Sequence, residues 1–211
     1  MKSRFMLVGF VALLGLGITL ALPQRAPAAP APTGPSGPAT APGTGPYQLD
    51  TTHSSVIYRI RHNDVSYFYG RFNNITGAID YDAAKPAAGS VQLTIETASV
   101  DSKNTKRDDD LRSPSFFNAV QFPEITFKST SAKKVSADTV DVTGDLNLHG
   151  VTKSVMLRVK RTGALTSQSG RQLVGFETTF TIKRSDYGIT YMLDRGLGDE
   201  VTVTVSIEAR R

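Results

Sequence analysis

Val140–Val159 reads VDVTGDLNLHGVTKSVMLRV, and its two halves decide the fold. Val140, Val142, Gly144, Leu146 and Leu148 alternate with mostly polar residues. His149-Gly150 turns the chain, and Val155, Leu157 and Val159 take up the alternation again. A period of two sends successive side chains to opposite faces, so each half is a strand with one apolar face. Two such runs joined by a tight turn lie antiparallel.

The same pattern extends both ways. Towards the N-terminus, Val56, Tyr58 and Ile60 alternate with Ile57, Arg59 and Arg61. Val65–Asp82 continues it, with Phe68, Gly70 and Phe72 on one side, a break at Asn73-Asn74, and then Ile75, Gly77, Ile79 and Tyr81. Gly70 inside such a run predicts a bulge or sharp bend. After a turn over Ala83–Gly89, Val91, Leu93 and Ile95 alternate again. Towards the C-terminus, Thr162–Arg171 is a polar turn and Val174, Phe176, Thr178, Phe180 and Ile182 form another strand. Ser185–Gly198 is a longer loop, and Val201, Val203, Val205 and Ile207 close the domain. The class is all-β, with about eight antiparallel strands joined mostly by short turns. Full closure hides every edge, so a barrel is the thorough solution, although a two-sheet sandwich has the same one-dimensional pattern. A barrel of about eight strands either fills with side chains or holds one small ligand.

One stretch breaks the period. Asn104–Thr130, NTKRDDDLRSPSFFNAVQFPEITFKST, predicts a short helix around residues 107–113, with Asp108–Asp110 near its positive N-terminus. Pro114 ends it, because the residue before a proline is pushed out of the α region. Phe116 and Phe117 then supply a large apolar payload, expected to close one end of the barrel or line its entrance.

The first residues read differently. Lys2 and Arg4 precede an uncharged apolar run, Phe5–Leu22, and Ala26-Pro27-Ala28 offers small residues for cleavage. That is the layout of an export signal over residues 1–28, leading to the periplasm or outside the cell. The run also borders on a spanning length, so an uncleaved anchor is the alternative and the only membrane contact expected. Residues 29–46, rich in Pro, Ala and Gly, read as a disordered linker, and residues 47–211 as one domain. With no cysteine, disulfides, Cys-ligated metals and thiol nucleophiles are excluded. The formal charge of +5 comes from 24 Lys and Arg against 19 Asp and Glu. Without residues 1–28, which carry Lys2, Arg4 and Arg25, it is 21 against 19, an ordinary balance that does not call for nucleic acid.

Chemistry-bearing motifs are sparse. No Gly-x-Ser-x-Gly elbow, phosphate loop or Gly-x-Gly-x-x-Gly occurs, so no catalytic residue or cofactor is assigned. His53, His62 and His149 show no ligand spacing, and no metal is expected. The candidate site is the inward apolar face: Val56, Tyr58, Ile60, Phe72, Leu93, Ile95, Phe127, Leu146, Leu157, Phe176, Phe180, Val203 and Val205, with Phe116 and Phe117 at the end. These residues either line a ligand cavity or simply fill the barrel. Arg71, Arg107 and Arg112 are candidates for a phosphate or other polar headgroup, which the guanidinium fork suits. Arg59, Arg61 and Lys106 are weaker candidates, the two arginines because they alternate onto the outer face.

Several separated motifs carry a family resemblance. They are Asp50-Thr51-Thr52-His53-Ser54-Ser55-Val56, Gly70-Arg71-Phe72 with Gly77, and Arg107-Asp108-x-x-Leu111-Arg112-Ser113 with Phe116-Phe117. Phe122-Pro123-x-Ile125-x-Phe127-Lys128-Ser129-Thr130, Gly144-Asp145-Leu146, Gly150-Val151-Thr152-Lys153 and Arg184-Ser185-Asp186-Tyr187-Gly188 follow in order. With these the chain resembles the YceI-like family from about Tyr47 to its C-terminus. It departs from the pattern at Asp110, Asn118, Ser154 and Met156. The resemblance implies a lipocalin-like barrel with an elongated apolar interior, an exported protein, and frequent dimers. Its implied ligand is a long-chain isoprenoid or fatty lipid, and its implied role non-catalytic binding for transport, storage or stress protection. A structural or interaction module with a filled core and a lipid-modifying enzyme are the alternatives.

Overall fold

The computed structural model describes residues 43–211, so the expected signal and most of the expected linker lie outside the described residues. The strands are β1 (Gly45–Leu49), β2 (Ser55–His62), β3 (Ser66–Phe72), β4 (Ile75–Tyr81), β5 (Ser90–Glu96), β6 (Val100–Asp101), β7 (Glu124–Lys134), β8 (Thr139–Leu148), β9 (Val151–Thr166), β10 (Gln172–Lys183) and β11 (Leu197–Arg210). The one α-helix among them, α1 (Thr105–Arg112), falls where the period breaks. β1 begins two residues ahead of Tyr47, in the Pro- and Gly-containing stretch that composition alone reads as linker.

All the ladders are antiparallel. The order β1-β4-β5-β7-β8-β9-β10-β11 closes on itself through Gln48↔Arg210 and Leu49↔Ala209, a ring of eight strands. β2, β3 and β6 continue from the other end of β11, which pairs with β2 over Leu197–Ser206. The single alternating runs of the sequence are therefore broken strands: β3 and β4 part at Asn73-Asn74, and β5 and β6 at the turn Thr97–Ser99. We call the end carrying the Asn63–Val65 turn the upper end.

His149 and Gly150 have φ of 53° and 76°, the left-handed pair that a two-residue hairpin needs to match strand twist. A Cβ on Gly150 would also lie 2.5 Å from the Phe122 ring. Gly70 departs from expectation. The β2–β3 register runs unbroken from Val56↔Phe72 to His62↔Ser66, with no bulge. A Cβ there would stand 2.3 Å from the Tyr58 hydroxyl, so the glycine makes room for that ring rather than bending the strand. Inside, Tyr47, Ile75, Val100, Val174 and Tyr187 are fully buried. Burial of such side chains contributes about 1.5–3 kcal/mol each, and with no disulfide the fold rests on this core.

Candidate ligand-binding cavity

The upper half of the barrel has two seams that backbone hydrogen bonds leave open. β6 pairs only with β3, at Arg71↔Asp101 and Phe72↔Val100, and has no ladder to β7. The β9–β10 ladder stops at Glu177↔Lys160, so the upper parts of those strands part company. Side chains close what the backbone does not. At the second seam, His149 Nδ1 meets the Tyr187 carbonyl at 3.0 Å and Lys153 lies 3.6 Å from Asp186, with Tyr187 buried.

At the first seam sits α1. Asn104 caps it by accepting the Arg107 N–H, and Asp108, in the first turn, accepts from the Ser102 N–H and hydroxyl. Arg112 donates to the Ala98 and Val100 carbonyls, tying the helix end to β6. Phe117 then packs on Phe72 at 5.4 Å between ring centres, and Phe116 on Tyr191 at 5.3 Å. Edge contacts of this kind add to the area that the rings bury.

Behind these rings lies a cavity of about 540 Å³. Ligand pockets commonly hold about 300–1,000 Å³, so this one is large enough for a substantial apolar molecule. Its wall includes Val56, Tyr58, Ile60, Phe72 and Ile95, then Leu146, Phe180, Val203 and Val205, with Phe116 and Phe117 at the seam. Leu93, Phe127, Leu157 and Phe176 are placed elsewhere. They line a lower cavity of about 130 Å³. The apolar interior thus has a wide upper part and a narrow lower part, with Phe180 and Val205 common to both. Periodicity reports only which side of a strand a residue faces, not its height along the axis.

Few polar groups reach the larger cavity. The Tyr58 hydroxyl is buried and has no hydrogen-bond partner among the described residues. Burial pushes its pKa far above the ordinary 10.0, and the nearby Asp108 carboxylate adds to the rise, so it stays a neutral donor. Arg107 is on the wall, its guanidinium over the Phe68 ring at 4.2 Å and hydrogen-bonded to Ser102. The other two headgroup candidates point away. Arg71 is outside, 3.4 Å from Asp101, and Arg112 is spent on β6. Arg59 stacks on Tyr67 at 4.5 Å, on the outer face as the alternation implies.

Arg184 was missed as a site residue, because an arginine reads from sequence as solvated charge. It is buried, and it donates to the Ile189, Tyr191, Leu197 and Gly198 carbonyls, fixing the loop that forms one lip of the cavity. Burial pulls its pKa down from 12.5 and Asp199 opposes that. Leu111, Ile125, Leu148, Ile182 and Val201 also join the wall. The histidines do not converge with one another. His53 lies 3.4 Å from Asp50 and 3.9 Å from Glu208, a juxtaposition made by the β1–β2 corner that spacing could not reveal. Both Asp50 oxygens already have donors there, Thr52 N–H at 3.0 Å and Arg210 at 3.0 Å.

Ring and cavity together define a closed antiparallel β-barrel with an apolar internal chamber. Residues 47–209 match the YceI-like domain, and the chain belongs to that family. Protein YceI of Escherichia coli is 41% identical over 164 residues, covering 77% of this chain and 85% of the relative. The UPF0312 protein of Azotobacter vinelandii is 38% identical over 159 residues, covering 75% and 82%. Among solved structures, BcnA of Burkholderia cenocepacia superposes with a TM-score of 0.70 at 25% identity, covering 76% of this chain and 99% of that one. A polyisoprenoid binding domain from Saccharophagus degradans, at 23% identity and a TM-score of 0.60 over 77% and 97% of the two chains, shares the fold.

Proposed function

We propose that this protein is an exported, non-catalytic carrier that holds a long-chain isoprenoid or similar amphiphilic lipid in the upper cavity. The observation that carries the reading is the chamber of about 540 Å³ with a predominantly apolar wall. Each CH₂ moved from water into such a chamber contributes about 0.8 kcal/mol, so chain length alone supplies affinity. The barrel shared with a polyisoprenoid binding domain supports the same ligand class. Phe116 and Phe117 form the gate, and Arg107 with the Tyr58 hydroxyl is the polar contact for a headgroup. Export to the periplasm or beyond rests on the sequence of residues 1–28, and transport, storage and stress protection are the roles such a carrier serves. The chamber counts against a barrel filled by its own side chains.

Native mass spectrometry of the gently purified protein is expected to show an apolar adduct. A clean unliganded mass, together with no binding of polyprenyl or fatty chains in titration, would remove the proposal.

A further inference from the structure

The upper rim carries apolar side chains that remain exposed. Val65, at the tip of the β2–β3 turn, is 83% exposed, Tyr67 and Tyr191 are each 48% exposed, and Leu193 is 36% exposed. Tyr191 lines the cavity, and Tyr67, on the outer face of β3, touches its edge, so these apolar side chains flank the mouth. They are held in place. The Asn63 N–H donates to the Gly196 carbonyl at 2.5 Å, joining the hairpin tip to the opposite lip, and Arg184 pins that lip through four carbonyls.

Basic groups accompany these side chains. Arg59 and Arg61 lie over Tyr67 at 4.5 and 5.4 Å, and Lys103 and Lys106 stand exposed at the start of α1. Of the nearby acids, Asp64 pairs with Arg61, Asp109 with Arg112 and Asp194 with Arg195. Arg59, Lys103 and Lys106 have no ion pair among the described residues, against two acids also without one there, Asp110 on the wall and the exposed Glu200 on β11.

We infer that the upper rim is a docking surface for an anionic lipid bilayer, with the cavity mouth pressed onto the membrane. This rests on the reading of the cavity as an amphiphile site. Tyrosine, with an apolar body and a polar tip, suits the headgroup level, and arginine and lysine near the surface add attraction to anionic lipid. Interfacial binding grows with both contributions. Continuity with the chamber favours a bilayer: Tyr191 of the rim packs edge-on against Phe116 of the gate, so a chain leaving the membrane passes from one apolar surface to the next without crossing water.

The test uses residues 43–211, which keeps the apolar run at residues 5–22 from contributing. These residues contain the whole closed ring, and BcnA was solved as a chain of which the shared barrel covers 99%. The readout is flotation with vesicles of equal parts phosphatidylglycerol and phosphatidylcholine, against phosphatidylcholine alone. The barrel is expected to float with the anionic vesicles, and less as salt is raised. Val65→Ser and Leu193→Ser combined, at rim positions that do not line the cavity, should weaken flotation about tenfold, with the melting temperature and uptake of farnesol, read by native mass spectrometry, unchanged. Equal flotation of wild type and double variant overturns the docking surface. Farnesol uptake without flotation also overturns it and leaves the carrier reading standing. Flotation without farnesol uptake supports the docking surface and removes the carrier reading instead.

Discussion

The two ends of this barrel are built from the same strands and are held differently. The lower half closes through backbone pairing, β1 to β11, and leaves a chamber of about 130 Å³. The upper half has two seams without ladder bonds, closed by α1, Phe117 and Tyr187, and encloses about 540 Å³. Hydrogen-bonded strands set a ring's circumference, whereas a seam filled with side chains can widen it and can move. The lower half is closed by backbone pairing, and the larger space lies in the upper half.

Substitutions at opposite ends should therefore separate stability from retention of an apolar ligand. The largest effect is expected from Phe127→Ala, which empties the lower wall where the ring packs over Gly144. It should cost about 3–5 kcal/mol in denaturant unfolding, with retention by the folded protein unchanged. If retention falls in step, the two chambers act as one.

Gly70→Ala should cost about 1–3 kcal/mol, because its Cβ would meet the Tyr58 hydroxyl at 2.3 Å and drive the ring towards the larger cavity. Retention, followed by native mass spectrometry, should fall as well. Phe116→Ala with Phe117→Ala removes two half-buried rings. About 2 kcal/mol of stability should go with them, and retention should fall more steeply than stability does. Loss of both in equal measure would make the pair ordinary core.

The smallest effect is one of pH. Burial raises the Asp199 pKa, but the Ser185 N–H and hydroxyl, with Arg184, outweigh it and hold the carboxyl below its ordinary 3.8. A lowered folded value means that this stabilisation is complete above 3.8 and disappears as pH falls through the lower folded value. Hydrogen exchange below that point should show the Ser185–Leu197 lip loosening before the lower ring. Simultaneous opening of both would deny that the lip is the weaker part.

How much was legible beforehand varies with the kind of signal. Strands with alternating faces, such as those around His149-Gly150, were readable because a period of two is a local property. So was the helix before Pro114, since it breaks that period. Gly70 misled, because a glycine that makes room for Tyr58 looks the same in sequence as one that bends a strand. Leu93, Phe127, Leu157 and Phe176 face the same interior as Val56 and Phe72, and the structure places them around its narrower lower part.

The sequence by itself determined that strands form, where they turn and which side of each is apolar, because these follow from neighbours a few residues apart. Tertiary structure alone decided which ladders stop short, where the chamber lies, and that Arg184 is buried among carbonyls while Arg71 faces outward. Those outcomes depend on pairings between residues distant in the chain, such as Gln48 with Arg210, whose register no local pattern specifies.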